Sequence, residues 1–130
     1  MAKDPTRKLA AAGASGPAFL QQFSIMLVVV EGGAEGTEHE VVQPRTVIGR
    51  GDEADWTVQD DSVSKLHAAL EVGASGVRVV DLGSTNGTLV NGARSERADL
   101  KHGDRVQLGE LVFQCLLEQR TRGPRTFQID

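Results

Sequence analysis

The segment DLGSTNGTLVNG, residues 81–92, contains two Asn-Gly pairs, Asn86-Gly87 and Asn91-Gly92. Asn-Gly favours tight turns with positive φ, and it is the strongest short-range signal for a β-hairpin. The segment therefore predicts two closely spaced turns between short strands. Ser84 and Thr85 stand beside the first pair and carry hydroxyl groups. The first turn therefore either only reverses the direction of the chain or also binds a ligand.

Short strand-like segments continue on both sides of these turns. The β-branched run SIMLVVVE is followed by EHEVV, TVIG, HAALEV, VRVVDL, TLV, DRVQL and ELVFQCLL, and turn-forming residues separate most of these segments. No segment after residue 23 has an apolar stripe of helical period and helical length. The pattern predicts an all-β fold, a two-sheet β-sandwich of about eleven short strands with recognition loops at one end.

The two ends of the chain differ from this pattern. Residues 1–22 are rich in Ala, Gly and Ser and predict a flexible N-terminal arm, in which Asp4-Pro5 could begin a short helix that closes at Gly13. Residues 23–118 form the predicted sandwich domain. Residues 119–130 contain a Gly-Pro pair and basic side chains, and they predict a C-terminal tail outside the core.

Composition limits the possible classes of function. With 14 basic and 18 acidic residues, the chain has a formal net charge of -4, which argues against a nucleic-acid partner. The longest apolar run, residues 25–30, is too short to span a bilayer, and the N-terminus lacks a signal-like apolar run. A single cysteine, Cys115, is expected to be a buried small hydrophobe. We expect a cytoplasmic protein that binds neither membrane nor nucleic acid.

Three loops carry polar groups that suit a phosphorylated peptide. Arg50 offers a planar fork of donors, and Lys65 adds a compact positive charge. Ser64 and Thr85 each offer a hydroxyl, and Asn86 has both a donor and an acceptor for a peptide main chain. A phosphate brings about -1.5 to -2 charges and three acceptor oxygens, so these groups predict binding of a dianion on an extended chain.

The motifs GRG, VSKLHA, DLGSTNGTLVNG and HGDRVQLG occur in this order, and in order and spacing they resemble the forkhead-associated (FHA) domain family. The resemblance extends over residues 24–118 and implies a β-sandwich that recognises phosphothreonine in partner proteins. It implies that Arg50 meets the phosphate or the peptide, that Ser64 and Thr85 reach the phosphate, and that Asn86 holds the peptide main chain.

The resemblance also assigns supporting roles. It implies that His67 is a structural histidine, and Gly49 and Gly87 are expected to support the loops. Lys65 departs from the family pattern, in which Arg or Asn is more familiar after the serine. Compared with arginine, it keeps the positive charge but lacks the planar pair of donors. Acidic residues flank these loops and could select basic residues in the partner peptide: Asp52, Glu53, Asp55, Asp60 and Asp61.

The predicted function is therefore non-catalytic binding of a threonine-phosphorylated protein, a Ser/Thr kinase or its substrate, without a cofactor or metal. His39, His67 and His102 lack the spacing of a metal site, and no cysteine cluster exists. Residues 62–65 spell Ser-x-x-Lys, but the partner motifs of that catalytic class are absent.

Two alternatives remain open. The sandwich could be a phosphate-independent interaction scaffold, which would bind phosphorylated and unphosphorylated partners equally. Alternatively, phosphorylation of Thr6 in the N-terminal arm could make the domain bind its own arm and exclude partners.

Overall fold

The computed structural model describes residues 18–33 and 35–120, and within them the chain forms eleven β-strands. The predicted Asp4-Pro5 helix and Thr6 lie outside the described residues, as do positions 121–130 of the predicted tail. The strands are β1 (Phe23–Glu31), β2 (Glu38–Glu40), β3 (Arg45–Gly49), β4 (Trp56–Thr57), β5 (Ala68–Val72), β6 (Val77–Asp81), β7 (Thr88–Val90), β8 (Ala93–Arg94), β9 (Arg97–Leu100), β10 (Arg105–Leu108) and β11 (Leu111–Gln119).

The strands form two sheets, which confirms the predicted all-β sandwich. A six-stranded sheet has the order β2-β1-β11-β10-β7-β8, and a five-stranded sheet has the order β4-β3-β5-β6-β9. All strand pairs in the two sheets are antiparallel except β3 with β4. Strands β4, β8 and β9 were not among the predicted segments, because they are too short for a clear strand pattern.

The core lies between the two sheets and is built from alternate residues of the strands. In β1, Ile25, Leu27 and Val29 are buried while their neighbours are half-buried, which is the period of two expected for one inward-facing side. Phe113 of β11 and Leu70 of β5 are fully buried in the same cluster. Each such side chain contributes about 1.5–3 kcal/mol when it is removed from water.

Aromatic contacts join the periphery to this core, among them the edge contact of Trp56 with Phe113 at a ring-centroid distance of 5.6 Å. Trp56 is buried and stacks on His39 with ring centroids 5.1 Å apart. Residues 18–22 are helical, and Phe19 is buried in the core with its ring 4.6 Å from that of Phe23. These last residues of the predicted arm therefore pack on the domain, because Phe19 and Phe23 stack on each other.

The far end of β11 is anchored as well. Gln119 pairs with Phe23, and the backbone N–H of Arg120 donates to the carbonyl of Gln22 at 2.7 Å. The domain therefore extends slightly past the predicted boundary at residue 118.

Strand register brings the polar loops to one end of the sandwich. Ala68, the first residue of β5, pairs with Ile48 near the end of β3 and with Asp81 at the end of β6. Thr88, the first residue of β7, pairs with Leu108 at the end of β10. The loops that follow β3, precede β5, join β6 to β7 and join β10 to β11 therefore share this end.

Candidate functional site

The loop after β3 is pressed against the loop before β5. A Cβ on Gly49 would overlap the Lys65 carbonyl, whose carbon would lie 2.6 Å away, so only glycine fits here. The N–H of Arg50 donates to the Ser64 carbonyl at 2.9 Å, and its side-chain Nε–H donates to the Val63 carbonyl at 2.9 Å. Within the described residues the terminal nitrogens of Arg50 have no hydrogen-bond acceptor, so they remain available to an anion.

His67 connects two loops from the inside of the sandwich. Its side chain is fully buried, Nδ1 accepts a hydrogen bond from the Ser64 N–H at 3.0 Å, and Nε2 lies 2.8 Å from the Gly87 carbonyl oxygen. Because a carbonyl oxygen only accepts, Nε2 carries the proton and the ring is the neutral Nε2–H tautomer. His67 thus holds the Ser64 loop and the Asn86-Gly87 turn in one arrangement.

The loop between β6 and β7 lies across the loop that carries Ser64. The N–H of Thr85 donates to Ser64 Oγ at 3.0 Å, which leaves the hydroxyl proton of Ser64 free to donate elsewhere. Nδ2 of Asn86 donates to the Ser62 carbonyl at 2.7 Å. The second amide proton and Oδ1 of Asn86 have no partner within the described chain. Asn86 and Thr85 are both exposed.

Asp81 organises the turn that presents Thr85 and Asn86. One carboxylate oxygen accepts the N–H groups of Gly83 and Ser84 at 3.0 Å each, and the other accepts the hydroxyls of Ser84 and Thr88. Partial burial raises the pKa of Asp81, but the hydrogen bonds from Ser84, Thr88 and Gly83 outweigh it and hold the pKa below its ordinary value. The quoted motif contained Asp81, yet its sequence context did not reveal this role.

A second support comes from the hairpin that joins β10 to β11. The N–H of Glu110 donates to Ser62 Oγ at 2.7 Å, and Ser62 Oγ in turn donates to Asp60. Gly109 has φ +64, and a Cβ there would overlap the Ser62 carbonyl. These residues hold in place the carbonyl that Asn86 binds. The sequence contained no signal for this contact, because Ser62 and Glu110 are 48 positions apart.

The structure therefore brings all five predicted binding residues to one end of the sandwich, on three adjoining loops: Arg50, Ser64, Lys65, Thr85 and Asn86. The three predicted supporting residues, Gly49, His67 and Gly87, lie beneath them and are buried.

The charges around this end are mixed. Lys65 is exposed, and it lines a shallow depression together with Arg50, Asp52 and Glu53. Asp55 and Asp60 differ from the other acidic residues, because their carboxylates accept backbone N–H groups, of Val47 at 2.8 Å and of Ser62 at 2.9 Å, and so support the loops. Charge reversal at Asp55 or Asp60 would disturb the fold of the loops, so the exposed Asp52, Glu53 and Asp61 are better candidates for selecting a partner's charge.

The fold with these loops matches solved structures. One structure, from a study described as "Structural and functional analysis of phosphothreonine-dependent FHA domain interactions", superposes with a TM-score of 0.66 at 30% identity and covers 72% of this chain and 95% of that one. The chain belongs to the forkhead-associated (FHA) domain family. The resemblance inferred from the four motifs is thereby confirmed.

Sequence relatives of this FHA domain include two bacterial regulators. The glycogen accumulation regulator GarA of Mycolicibacterium smegmatis is 40% identical over 101 residues, or 76% of this chain, and the chain spans 64% of that protein's length. The oxoglutarate dehydrogenase inhibitor of Corynebacterium efficiens is 38% identical over 105 residues, covering 79% of this chain and 74% of that protein. A family model described as "Inner membrane component of T3SS, cytoplasmic domain" matches residues 28–119.

The second Asn-Gly pair has a different role from the first. Asn91 and Gly92 have φ values of +51 and +86, as a two-residue hairpin between β7 and β8 requires. The side chain of Asn91 also accepts the N–H of Arg105 and donates to Asp104, both at 3.0 Å, so it ties this hairpin to β10. It lies outside the three binding loops.

Other polar features of the FHA domain are structural. Cys115 is fully buried, as predicted, and burial raises the pKa of its thiol to about 12. Residues 18–33 and 35–120 contain no group of three or more His, Cys, Asp or Glu side chains arranged to hold a metal ion. Within the same residues no helix is long and apolar enough to cross a membrane.

Proposed function

We propose that this FHA domain is a non-catalytic module that binds phosphothreonine in a partner protein. The proposal rests on a set of donors, on two interlocked loops, that no group within residues 18–33 and 35–120 engages: the terminal nitrogens of Arg50, the hydroxyl proton of Ser64, and the ammonium of Lys65. These donors lie at one end of the sandwich, where the hydrogen bonds of His67 hold the backbone of the loops in place.

Each group has a specific role in the proposed complex. Arg50 presents two terminal nitrogens that match two phosphate oxygens, and Ser64 and Thr85 donate hydroxyl protons to the same group. Lys65 supplies charge without a fixed geometry. Asn86 binds the peptide main chain with its free Oδ1 and its second amide proton, while Ser62 fixes the orientation of its side chain.

The expected affinity follows from these bonds. A hydrogen bond to a charged group contributes about 1.5–3 kcal/mol, and three or four such bonds are offset by the cost of association and of ordering the peptide. A dissociation constant on the order of micromolar results. The loops are preorganised by intramolecular hydrogen bonds, so the protein itself loses little conformational entropy when the peptide binds.

The partner is a threonine-phosphorylated protein, either a Ser/Thr kinase or one of its substrates. This choice rests on the family, since one solved relative is described through phosphothreonine-dependent interactions. Two sequence relatives are named as a regulator of glycogen accumulation and an inhibitor of oxoglutarate dehydrogenase. A regulatory role in the cytoplasm, exerted by binding rather than by turnover, agrees with these names.

The proposal is tested by calorimetric titration with a degenerate phosphothreonine peptide pool and its unphosphorylated counterpart. We expect micromolar binding of the phosphorylated pool alone. Arg50→Ala and Ser64→Ala should each weaken it at least about tenfold, since each removes a charge-assisted bond. Arg78→Ala and Ser75→Ala, at the opposite end of the sandwich, are the matched controls and should leave it unchanged. Equal binding of both pools would refute the proposal and favour a phosphate-independent scaffold.

A further inference from the structure

The side chain of Arg94 lies on the turn that carries Asn86. Arg94 belongs to β8, the edge strand of the six-stranded sheet, and pairs with Leu89 of β7. A Cβ on Gly87 would lie 2.7 Å from Cζ of Arg94, 2.9 Å from Nη2 and 3.0 Å from Nε. These three nearly equal distances place the guanidinium with its flat face against the glycine.

This arrangement depends on the glycine and leaves the donors of Arg94 free. Gly87 has φ +83 and no side chain, so the guanidinium can approach its Cα closely. The N–H groups of a guanidinium lie in its plane, so packing of the flat face against Gly87 leaves them pointing sideways. Within residues 18–33 and 35–120 it forms no salt bridge, whereas Arg45, Arg105 and Arg120 each lie within 4.0 Å of a glutamate.

Beyond Arg50 and Lys65, which face the phosphate in the proposed complex, the two flanks of the candidate site carry different charges. On the side of the five-stranded sheet, Asp52 and Glu53 follow Arg50 in the loop after β3, and both are exposed. On the side of the six-stranded sheet, Arg94 covers the turn next to Asn86. A peptide whose main chain is held by Asn86 would place a neighbouring side chain beside the guanidinium.

We infer that Arg94 is a specificity-determining residue that selects an acidic side chain close to the phosphothreonine. The inference rests on the proposed function, because Arg94 can read a flanking residue only if Asn86 holds the peptide main chain. A carboxylate beside Arg94 receives two parallel N–H bonds from the guanidinium, which lysine cannot supply. On the Arg50 flank, Arg50 and Lys65 are engaged by the phosphate in the proposed complex, and the same carboxylate would face Asp52 and Glu53. The preference is therefore confined to one side of the phosphothreonine.

The test uses the whole chain and degenerate phosphothreonine peptide pools. In each pool one of the three positions on either side of the phosphothreonine is fixed as Glu or as Gln. We expect Glu to bind about three- to tenfold more tightly than Gln at one position, or at two adjacent positions, on a single side. In Arg94→Gln this preference should vanish, while binding of the Gln pools stays within about twofold of the unsubstituted protein.

Two control variants separate a local contact from general electrostatics. Lys101→Gln makes the same change in net charge at the opposite end of the sandwich and should keep the full preference for Glu. Arg94→Lys keeps the positive charge but lacks the planar pair of donors, and it should retain only part of the preference for Glu. Raising the salt concentration should reduce the preference, because exposed charges are screened.

The outcomes distinguish this inference from the proposed function. If phosphate-dependent binding is present and Arg94→Gln weakens the Glu and Gln pools equally, or leaves the Glu preference intact, the assignment to Arg94 is wrong and the proposed function stands. If no pool binds in a phosphate-dependent manner, both are wrong. Loss of the preference in Arg94→Gln alone supports the assignment.

Discussion

Replacing His67 with alanine should destabilise the domain and also weaken phosphopeptide binding. The substitution leaves two groups without their partner, the Ser64 N–H at 3.0 Å and the Gly87 carbonyl at 2.8 Å. A buried group left unsatisfied costs about 1–3 kcal/mol, and the half-buried Ser64 can recover part of this from water. With the cavity left by a fully buried ring, we expect a loss of about 3–4 kcal/mol in the free energy of unfolding.

Urea denaturation followed by Trp56 fluorescence measures this loss, and calorimetry at a denaturant-free condition measures binding. We expect affinity for the phosphothreonine pool to fall at least about tenfold in the fraction that stays folded, because the Ser64 loop and the Asn86 turn are no longer held together. The matched control is His102→Ala. His102 is exposed, and the N–H of Leu117 donates to Nδ1 of its ring at 3.0 Å. Removing the ring should therefore lower the free energy of unfolding by less than about 1 kcal/mol. A loss of less than about 1 kcal/mol in the free energy of unfolding of His67→Ala, with unchanged affinity for the peptide, would show that His67 does not hold the two loops together.

Three further predictions concern residues that support the domain. Asp81→Asn should lower the free energy of unfolding by about 1–3 kcal/mol, because an amide keeps only one acceptor oxygen. The pKa of Asp81 in the folded protein lies below its ordinary value of 3.8. The stability that the Asp81 carboxylate contributes is therefore complete above that value and is lost as the pH falls through the lowered pKa. The difference in free energy of unfolding between the unsubstituted protein and Asp81→Asn, measured by urea denaturation, should narrow there. Gly109→Ala should weaken peptide binding severalfold in a calorimetric titration, because the new Cβ overlaps Ser62. The buried Cys115, with a thiol pKa of about 12, should react with a disulfide reagent at neutral pH only as fast as the protein unfolds, and rapid labelling of the native protein would contradict its burial.

Most strands that the sequence predicted are those whose apolar residues alternate or run together. β1 and β11 are nine residues long, and their buried positions follow from local pattern alone. β4 has two residues and pairs in parallel with β3, so its existence depends on where the loop after Arg50 returns. β9 has only one buried residue, Leu100, and its pattern is too weak to separate it from a polar loop.

The binding loops were predictable for a different reason. Glycine, asparagine and serine at turns have local conformational signatures, so the Asn86-Gly87 turn and the Gly49-Arg50 loop were identified from the chain itself. The contacts that fix these loops in space were not. The contact of Ser62 with Glu110 arises only when the sandwich closes, because it joins loops that are 48 positions apart. The contact of Gly87 with Arg94 is local in sequence and depends on the register of β7 with β8.

The central claim is that the loops carrying Arg50, Ser64 and Asn86 recognise phosphate on a peptide. The most direct measurement follows the backbone amides of the labelled protein during titration with the phosphothreonine pool and with the unphosphorylated pool. We expect amides of these loops to shift only with the phosphorylated pool, and Arg50→Ala to abolish the shifts while the remaining spectrum is unchanged. Shifts of the same size with both pools, or none in these loops, would contradict the central claim.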